Sequence, residues 1–250
     1  MGSDLPHVVE DCLGIVQVYN DGSICRSSDD QIDFGNFPIK DDGSVVWKDR
    51  LYDGKEKLYL RLYKPAAKYG ANKQQQPIIY FFHGGGFCVG SRAWPNCHNC
   101  CLHLSSAFQT LVIAPDYRLA PEYRLPTAMD DAFTSIKWLQ NQALSKTPDS
   151  WISEFPCYDR VYVIGDSSGG NMAHHLAFRL GLGSPQLAPV RVRGYVLLAP
   201  FFGGTLRTKS EADGPAEPFL NMEILDRYVI NSCLPLFLFM TNLKLHIILF

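Results

Sequence analysis

The sequence lacks the features that direct a chain into the secretory pathway. Its opening stretch, MGSDLPHVVEDCLG, carries acidic side chains where a signal peptide needs a basic region followed by a long apolar run. Pro6 stands where a myristoylation signal requires Ser or Thr. We therefore expect a cytoplasmic or nuclear protein whose eight cysteines are reduced thiols.

The sequence also lacks an excess of charge of either sign. Lys and Arg total 23 and Asp and Glu total 25, so the net charge is -2, and no basic cluster offsets this balance. A nucleic-acid partner is therefore not expected, and a small neutral molecule fits better. A hydrophobic fraction of 46% in 250 residues is enough for one α/β domain with a full core.

Strand and helix patterns alternate through the middle of the sequence. Val45–Tyr52 and Leu58–Tyr63 predict a hairpin across Asp53-Gly54. From Ile78 onward, β-branched and aromatic runs alternate with helical spacing, which predicts a mostly parallel sheet with helices on both faces. The predicted strands are 78–82, 111–114, 161–164 and 195–198, and the predicted helices are 97–108, 128–142 and a third that starts at 171.

Gly165-Asp166-Ser167-Ser168-Gly169 fits the pattern G-x-S-x-G between a predicted strand and a predicted helix. A serine on so sharp a turn is strained and has an exposed hydroxyl, and the turn needs small flanking residues where the backbone doubles back. Ser167 is therefore the candidate nucleophile.

A glycine-rich stretch, His83-Gly84-Gly85-Gly86-Phe87, directly follows another predicted strand. Consecutive glycines let the backbone approach a ligand and turn its amides toward an oxyanion. We take Gly85 and Gly86 as the leading donors and expect Gly84 to shape the turn. The amide of Ser168 would complete the oxyanion hole.

Each of these two motifs has a simpler interpretation when it is taken alone. Either could be a tight turn without chemistry, and the glycine stretch could also be a phosphate-binding turn. Their order, each after a predicted strand, favours an acyl-transfer site that uses both.

Three motifs together resemble the plant carboxylesterases of the hormone-sensitive-lipase class of α/β-hydrolases. They are HGGGF at 83–87, PDYRLAPE at 115–122 and GDSSGGN at 165–171. The same group includes the gibberellin receptor, which kept the serine and lost catalysis. Within PDYRLAPE, Asp116 and Arg118 either tie loops near the site or form an ordinary surface ion pair.

The resemblance runs from about Leu13 to Tyr228 and divides the chain into three parts. It implies that residues 1–40 form a lid-like arm and that residues 41–228 form an α/β-hydrolase core that is incomplete at its C-terminus. Residues 229–250 would be a divergent apolar tail. Polar residues interrupt this tail, so a membrane anchor is disfavoured.

The groups that would activate the serine are not found where this fold places them. The carboxylate and the histidine should follow the nucleophile on loops after the last two strands. Residues 229–250 contain no acid and a single histidine, His246, inside an apolar run. A triad would need His246 oriented by Asp213 or Asp226, and an incidental histidine in a foreign tail is the simpler interpretation. His174 and His175 follow the nucleophile on its own helix and are too constrained to act as the base.

We therefore expect a truncated product whose last strands are missing and whose turnover is strongly reduced. The predicted strand at 195–198 would then become an exposed apolar edge, which is an aggregation hazard unless the tail covers it.

The segment Cys97-His98-Asn99-Cys100-Cys101-Leu102-His103 contains residue types that can bind zinc. It falls on a predicted helix, where Cys is a common small buried residue, and no second ligand pair accompanies it. No metal and no other cofactor is expected.

The leading hypothesis is a serine carboxylesterase that acts on small, mostly apolar esters through Ser167. A non-catalytic protein that binds a small ligand, as a hormone receptor does, is the alternative. A degenerate splice product without a function of its own is a third hypothesis. The motifs specify neither the ester nor the oligomeric state.

Overall fold

The computed structural model describes residues 5–34, 37–66, 76–204, 207–214 and 221–232. The N-terminal arm forms its own antiparallel three-stranded sheet. Its strands are β1 (Val8–Cys12), β2 (Val16–Tyr19) and β3 (Ile24–Arg26).

A six-stranded sheet forms the centre of the molecule, in the order β4-β5-β7-β6-β8-β9. The hairpin β4-β5 is antiparallel, as predicted, and β5 also pairs antiparallel with β7, whereas β7, β6, β8 and β9 run parallel. This arrangement confirms the prediction of a mostly parallel α/β-hydrolase sheet. The strands are β4 (Val45–Asp53), β5 (Leu58–Pro65), β6 (Ile78–Phe82), β7 (Leu111–Pro115), β8 (Val161–Asp166) and β9 (Val192–Leu198).

Six α-helices lie in the described residues, and three of them, α1, α2 and α4, begin one to three residues earlier than predicted. α1 starts at Pro95, a residue whose ring suits the first helical turn. α4 starts at Ser168 because tertiary packing overrides the poor helix propensity of Gly169 and Gly170. The helices are α1 (Pro95–Phe108), α2 (Thr127–Leu144), α3 (Ser150–Ser153), α4 (Ser168–Leu180), α5 (Lys209–Asp213) and α6 (Met222–Ser232).

The core lies on both faces of the sheet, as the near-continuous apolar runs predict. Every residue of β6 is buried, and successive side chains point to opposite faces. Tyr80 and Phe82 pack in the cluster that contains the buried residues of α2 and α4. Ile79 and Phe81 pack instead with the buried residues of α1.

β9 is the edge strand of the described sheet. Val196 and Leu198 are 44% and 42% exposed, so the expected apolar edge is confirmed at these two residues. α6 continues four residues past Tyr228, and Val229 is buried within it. The remainder of the expected tail, with His246, lies outside the described residues.

None of the helices in the described ranges combines the length and the hydropathy needed to cross a bilayer.

Candidate active site

Ser167 occupies the turn between β8 and α4 in a conformation that L-residues rarely adopt. Its φ is 53° and its ψ is -114°. A positive φ in a residue with a Cβ costs about 1–3 kcal/mol, so surrounding contacts must hold it in place. The Ser167 amide donates to the Leu198 carbonyl at 2.9 Å, and the Ser167 carbonyl accepts from the Phe201 amide at 2.9 Å. The end of β9 therefore holds this serine in its strained conformation.

Both glycines of G-x-S-x-G are sterically required. A Cβ at Gly165 would lie 2.0 Å from the Gly169 carbonyl oxygen, and a Cβ at Gly169 would lie 2.1 Å from the Phe82 carbonyl oxygen. These are backbone atoms that cannot rotate away. The turn at residues 165–169, called the elbow below, is therefore as tight as the sequence pattern predicts. The backbones of β6, β8 and the start of α4 are in direct contact there.

The HGGG loop lies directly against this elbow. A side chain at position 84 would come within 3.1 Å of the Ser167 Cβ, so Gly84 is the glycine that faces the serine. Gly85 and Gly86 have φ of 119° and 59° and make the turn itself. The sequence analysis assigned the turn to Gly84, whereas the backbone shows positive φ only at the following two glycines. A Cβ at Gly86 would meet the ring of Tyr228 at 2.3 Å.

The amides around Ser167 are available to a ligand. Within the described residues, no backbone carbonyl accepts a hydrogen bond from the amide of Gly84, Gly85 or Gly86. The amide of Ser168 is likewise one of the first N–H groups of α4, which have no partner inside the helix. A helix N-terminus also favours negative charge nearby.

His83 and Tyr117 pack against each other and fix the start of the HGGG loop. Their rings stack with centroids 4.3 Å apart, and the Tyr117 hydroxyl donates to the His83 carbonyl at 2.8 Å. Burial lowers the pKa of His83, and its Nε2 is buried without a partner in the described structure. His83 is therefore a neutral structural group. Tyr117 lies within the PDYRLAPE motif, and no pattern in the sequence predicts this role for it.

Ser167 Oγ has no hydrogen-bond partner among the residues that the structure describes. His174 is half-buried with its ring edge-on to Phe202, and burial lowers its pKa. Burial also lowers the pKa of His175. Neither histidine forms a hydrogen bond with the serine.

Within the part of the chain that the structure describes, neither acidic residue considered for the triad contacts a histidine. Asp226 forms an ion pair with Arg207, and Asp213 is exposed at the end of α5. Asp166, next to Ser167, is half-buried, and burial raises the pKa of its carboxyl group.

Asp116 and Arg118 tie loops together, but they do not pair with each other. Asp116 accepts hydrogen bonds from the backbone and the side chain of Arg92. Arg118 forms an ion pair with the buried Asp131 at 2.7 Å and a longer one with Glu56. Both sides of the PDYRLAPE turn are therefore held by arginine-carboxylate pairs.

The Cys-His segment on α1 has structural roles. The His98 ring nitrogen lies 2.9 Å from the Tyr63 hydroxyl, and Cys97 and Cys101 are buried against the sheet. Within the described ranges, no three His, Cys, Asp or Glu side chains form a group that could hold a metal ion.

Comparison with known proteins places this geometry in a family. The sequence profile of the family described as having the alpha/beta hydrolase fold matches residues 79–242. The match begins within β6 and extends beyond Tyr228, where the motif resemblance was expected to end. The chain belongs to the α/β-hydrolase fold family.

Individual relatives confirm the resemblance to plant carboxylesterases of the hormone-sensitive-lipase class. Probable carboxylesterase 6 of Arabidopsis thaliana is 35% identical over 204 residues, which cover 82% of this chain and 58% of that protein. Carboxylesterase 20 of the same plant is 33% identical over 218 residues, which cover 82% and 63%. The chain therefore spans about three fifths of the length of these relatives.

A solved structure agrees with these sequence relatives. EstE1, a thermophilic carboxylesterase cloned from a metagenomic library, superposes with a TM-score of 0.61 at 28% identity. The match covers 78% of this chain and 60% of EstE1.

Proposed function

We propose that this chain carries the nucleophile and the oxyanion hole of a carboxylic ester hydrolase. The observation that carries the proposal is the contact between the two motifs: a strained Ser167 abuts Gly84 of a loop with free amides. In the reaction, Ser167 Oγ attacks the ester carbonyl carbon, the alcohol leaves, and water then releases the acid.

The oxyanion of the tetrahedral intermediate would be stabilised by backbone amides. Gly84, Gly85, Gly86 and Ser168 offer N–H groups that no described carbonyl uses. Such donors cost no reorganisation when charge develops, and one of them contributes about 2.7–4 kcal/mol in a well-measured case. Gly84 lies closest to the serine, which makes it a stronger candidate donor than the sequence analysis assumed.

The substrate is proposed to be a small, mostly apolar ester. Tyr228 packs over Gly86, and Phe201 is in edge contact with the Tyr228 ring. The lid-like role of the arm is part of the same proposal, since Cys12 and Val16 of the arm pack with Tyr228. The relatives named as carboxylesterases support an ester as the substrate class.

Turnover is proposed to be slow, because Ser167 has no base among the described residues. Loss of the base from a serine triad costs on the order of 10⁶ in kcat in the best-studied protease. A residual acceleration of about 10³ over water can come from the oxyanion hole and from binding.

Covalent labelling tests the nucleophile. Diethyl p-nitrophenyl phosphate phosphorylates nucleophilic serines, and because the described residues supply no base for Ser167 we expect its single-site modification to be slow. Peptide mass spectrometry detects the modified residue. Ser167→Ala should abolish the label and Ser168→Ala should keep it, because the buried Ser168 hydroxyl faces no open space. Labelling that is distributed over other serines, or unchanged in Ser167→Ala, would refute the assignment.

Added imidazole tests the missing base. A free imidazole can replace an absent histidine, so p-nitrophenyl acetate hydrolysis by the parent should rise with imidazole after the rate of Ser167→Ala is subtracted. Equal imidazole dependence in the two proteins would contradict the proposal that only the base is lacking.

The alternative is a non-catalytic protein that binds a small ligand at the same site. The absence of a base for Ser167 in the described residues favours it. Calorimetry with short-chain carboxylic acids separates the two functions. Tight binding without labelling or imidazole-dependent turnover would support the binding function.

A further inference from the structure

Arg26, the last residue of β3, joins the N-terminal arm to two loops of the core. Its Nε and Nη2 atoms donate to the two carboxylate oxygens of Glu122 at 2.9 and 2.6 Å. Nη2 also donates to the Ala120 carbonyl at 2.8 Å, and Nη1 donates to the Cys88 carbonyl at 2.6 Å. One edge of the guanidinium therefore forms an ion pair, whereas Nη1 holds the backbone that follows the HGGGF stretch.

The Cys88 carbonyl begins a series of two peptide groups that ends at Gly86. The Cys88–Val89 and Gly85–Gly86 peptide bonds are both trans, so in each group the N–H points opposite to the C=O. The amides of Cys88 and Val89 both donate to the Gly85 carbonyl at 3.0 Å. Because this carbonyl faces these two amides, the Gly86 N–H points the other way, out of the turn. Two peptide dipoles are therefore aligned between the guanidinium and the Gly86 N–H.

Each hydrogen bond in such a series strengthens the next one. A donor at a carbonyl oxygen polarises the peptide group, so the N–H of that group becomes a better donor, by about 10–30% per bond. Bonds from a charged donor are about twice as strong as neutral ones, and Arg26 supplies the charge here. By contrast, the His83 carbonyl, whose peptide group carries the Gly84 N–H, accepts from the neutral Tyr117 hydroxyl. The charge therefore acts on the Gly86 amide, for which no described backbone carbonyl is an acceptor.

We propose that Arg26 is a positioning residue for the oxyanion hole, which fixes the direction of the Gly86 N–H and strengthens it as a donor. This inference rests on the proposed function, because it takes the Gly86 amide as a donor to the developing oxyanion. Arg26 acts through the two peptide groups and does not contact the ester. Since Arg26 belongs to the arm, stabilisation of the oxyanion depends on the arm being docked on the core.

Amide signals of the ligand-free protein test the polarisation without any turnover. Arg26→Met removes the donor and the charge, so the amide protons of Gly86 and Val89 should both move upfield in ¹H–¹⁵N correlation spectra. Arg26→Lys keeps a cation and should bring both protons part of the way back to the parent positions. If Arg26→Met does not fold, Arg26→Gln, which keeps an uncharged donor, takes its place. A Gly86 proton that does not move would overturn the proposal.

Glu122→Gln separates polarisation from simple attachment of the arm. It removes the ion pair but keeps the hydrogen bond from Arg26 to the Cys88 carbonyl, so the Gly86 amide proton should stay close to its parent position. A movement as large as that in Arg26→Met would assign the effect to attachment of the arm and would overturn the proposal.

Arg193→Met is the matched control for the loss of an arginine. Arg193 also donates to a backbone carbonyl, that of Asp159 at 2.7 Å. It lies near the start of β9, whereas Ser167 contacts Leu198 at the end of this strand. The Gly86 amide proton should not move in this variant, and a movement equal to that in Arg26→Met would refute the specific role of Arg26.

The rate at which diethyl p-nitrophenyl phosphate labels Ser167 connects the polarisation to the oxyanion hole. One oxyanion donor is worth about 10²–10³ in rate, so a loss of about 10–30% of its strength should slow labelling of Arg26→Met about two- to eightfold. An unchanged labelling rate would overturn the proposal even if the amide signals move. If Ser167 of the parent is not labelled, the proposed function fails, and the amide signals still decide whether Arg26 polarises the Gly86 N–H.

Discussion

The two sides of Ser167 differ in how completely the described residues build them. On the side of β6, backbone atoms approach so closely that Gly165 and Gly169 cannot carry a Cβ, and Tyr117 holds the oxyanion loop. On the side of β9, the strand presents Val196 and Leu198 to solvent. The conformation of Ser167 is therefore held by backbone contacts with β6 and by two hydrogen bonds at the end of β9, although the outer side of β9 is open to solvent.

The largest expected effect on stability comes from adding a side chain within the elbow. Gly169→Ala should lower the free energy of unfolding by more than about 3 kcal/mol, because its Cβ would lie 2.1 Å from a backbone oxygen of β6. Gly54→Ala in the β4-β5 hairpin is the control, since its nearest neighbour atom is 3.9 Å away. Urea denaturation measures both variants. Similar, small losses in the two would show that the elbow is not tight.

The removal of one tyrosine hydroxyl on each side of Ser167 compares the β6 side with the β9 side directly. Tyr117→Phe removes the hydrogen bond to the His83 carbonyl and should cost about 1 kcal/mol of unfolding free energy. Tyr195→Phe in β9 should be neutral or stabilising, because the Tyr195 hydroxyl is buried without a partner in the described structure. The urea concentrations at which the two variants are half unfolded measure the difference. A larger loss of stability in Tyr195→Phe than in Tyr117→Phe would contradict the comparison.

The strain at Ser167 predicts an unusual order of two substitutions. Ser167→Gly should be more stable than Ser167→Ala by about 0.5–1 kcal/mol, since glycine adopts positive φ freely. At most helical or extended positions the order is the reverse. Thermal denaturation of the pair measures the difference. Greater stability of the alanine variant would mean that the serine backbone is not strained.

Asp166 predicts a pH dependence of stability. Burial raises the pKa of this carboxyl group, so the folded state binds its proton more tightly than the unfolded state does. Stability from this group therefore falls as pH rises through the folded pKa. Asp166→Asn should be more stable than the parent at neutral pH, with the gain shrinking as the pH approaches about 4.

Asp21 provides a control of opposite sign. Hydrogen bonds from the Ser23 side chain and backbone lower the pKa of its exposed carboxyl group. Asp21→Asn should therefore lose a little stability at neutral pH, and this loss should disappear at low pH. Parallel pH profiles for the two variants would contradict the assigned direction at Asp166.

The parts of the molecule that local patterns specify were predictable from the sequence. The elbow at Ser167 and the hairpin across Gly54 follow from turn chemistry and from strand composition, and the parallel sheet follows from their alternation with helices. The start of α4 at Ser168 was missed because two glycines argue against a helix, and only their packing against the sheet explains it.

Contacts between distant segments were not predictable from the sequence. Arg92, which pairs with Asp116, and the stacking of Tyr117 on His83 join residues that no local pattern connects. The burial of Cys12 and Cys88 in one cluster is a further example. The motifs predict which residues carry the proposed chemistry, and the packing shows what holds these residues in position.

The steady-state hydrolysis of p-nitrophenyl butyrate by the parent and by Ser167→Ala tests the central claim most directly. That claim is the proposal that Ser167 is a nucleophile for which the described residues supply no base. We expect a parent turnover number far below the typical enzyme range of about 1–10³ s⁻¹, with a change of less than about tenfold in Ser167→Ala. Turnover within that range, abolished by Ser167→Ala, would contradict it.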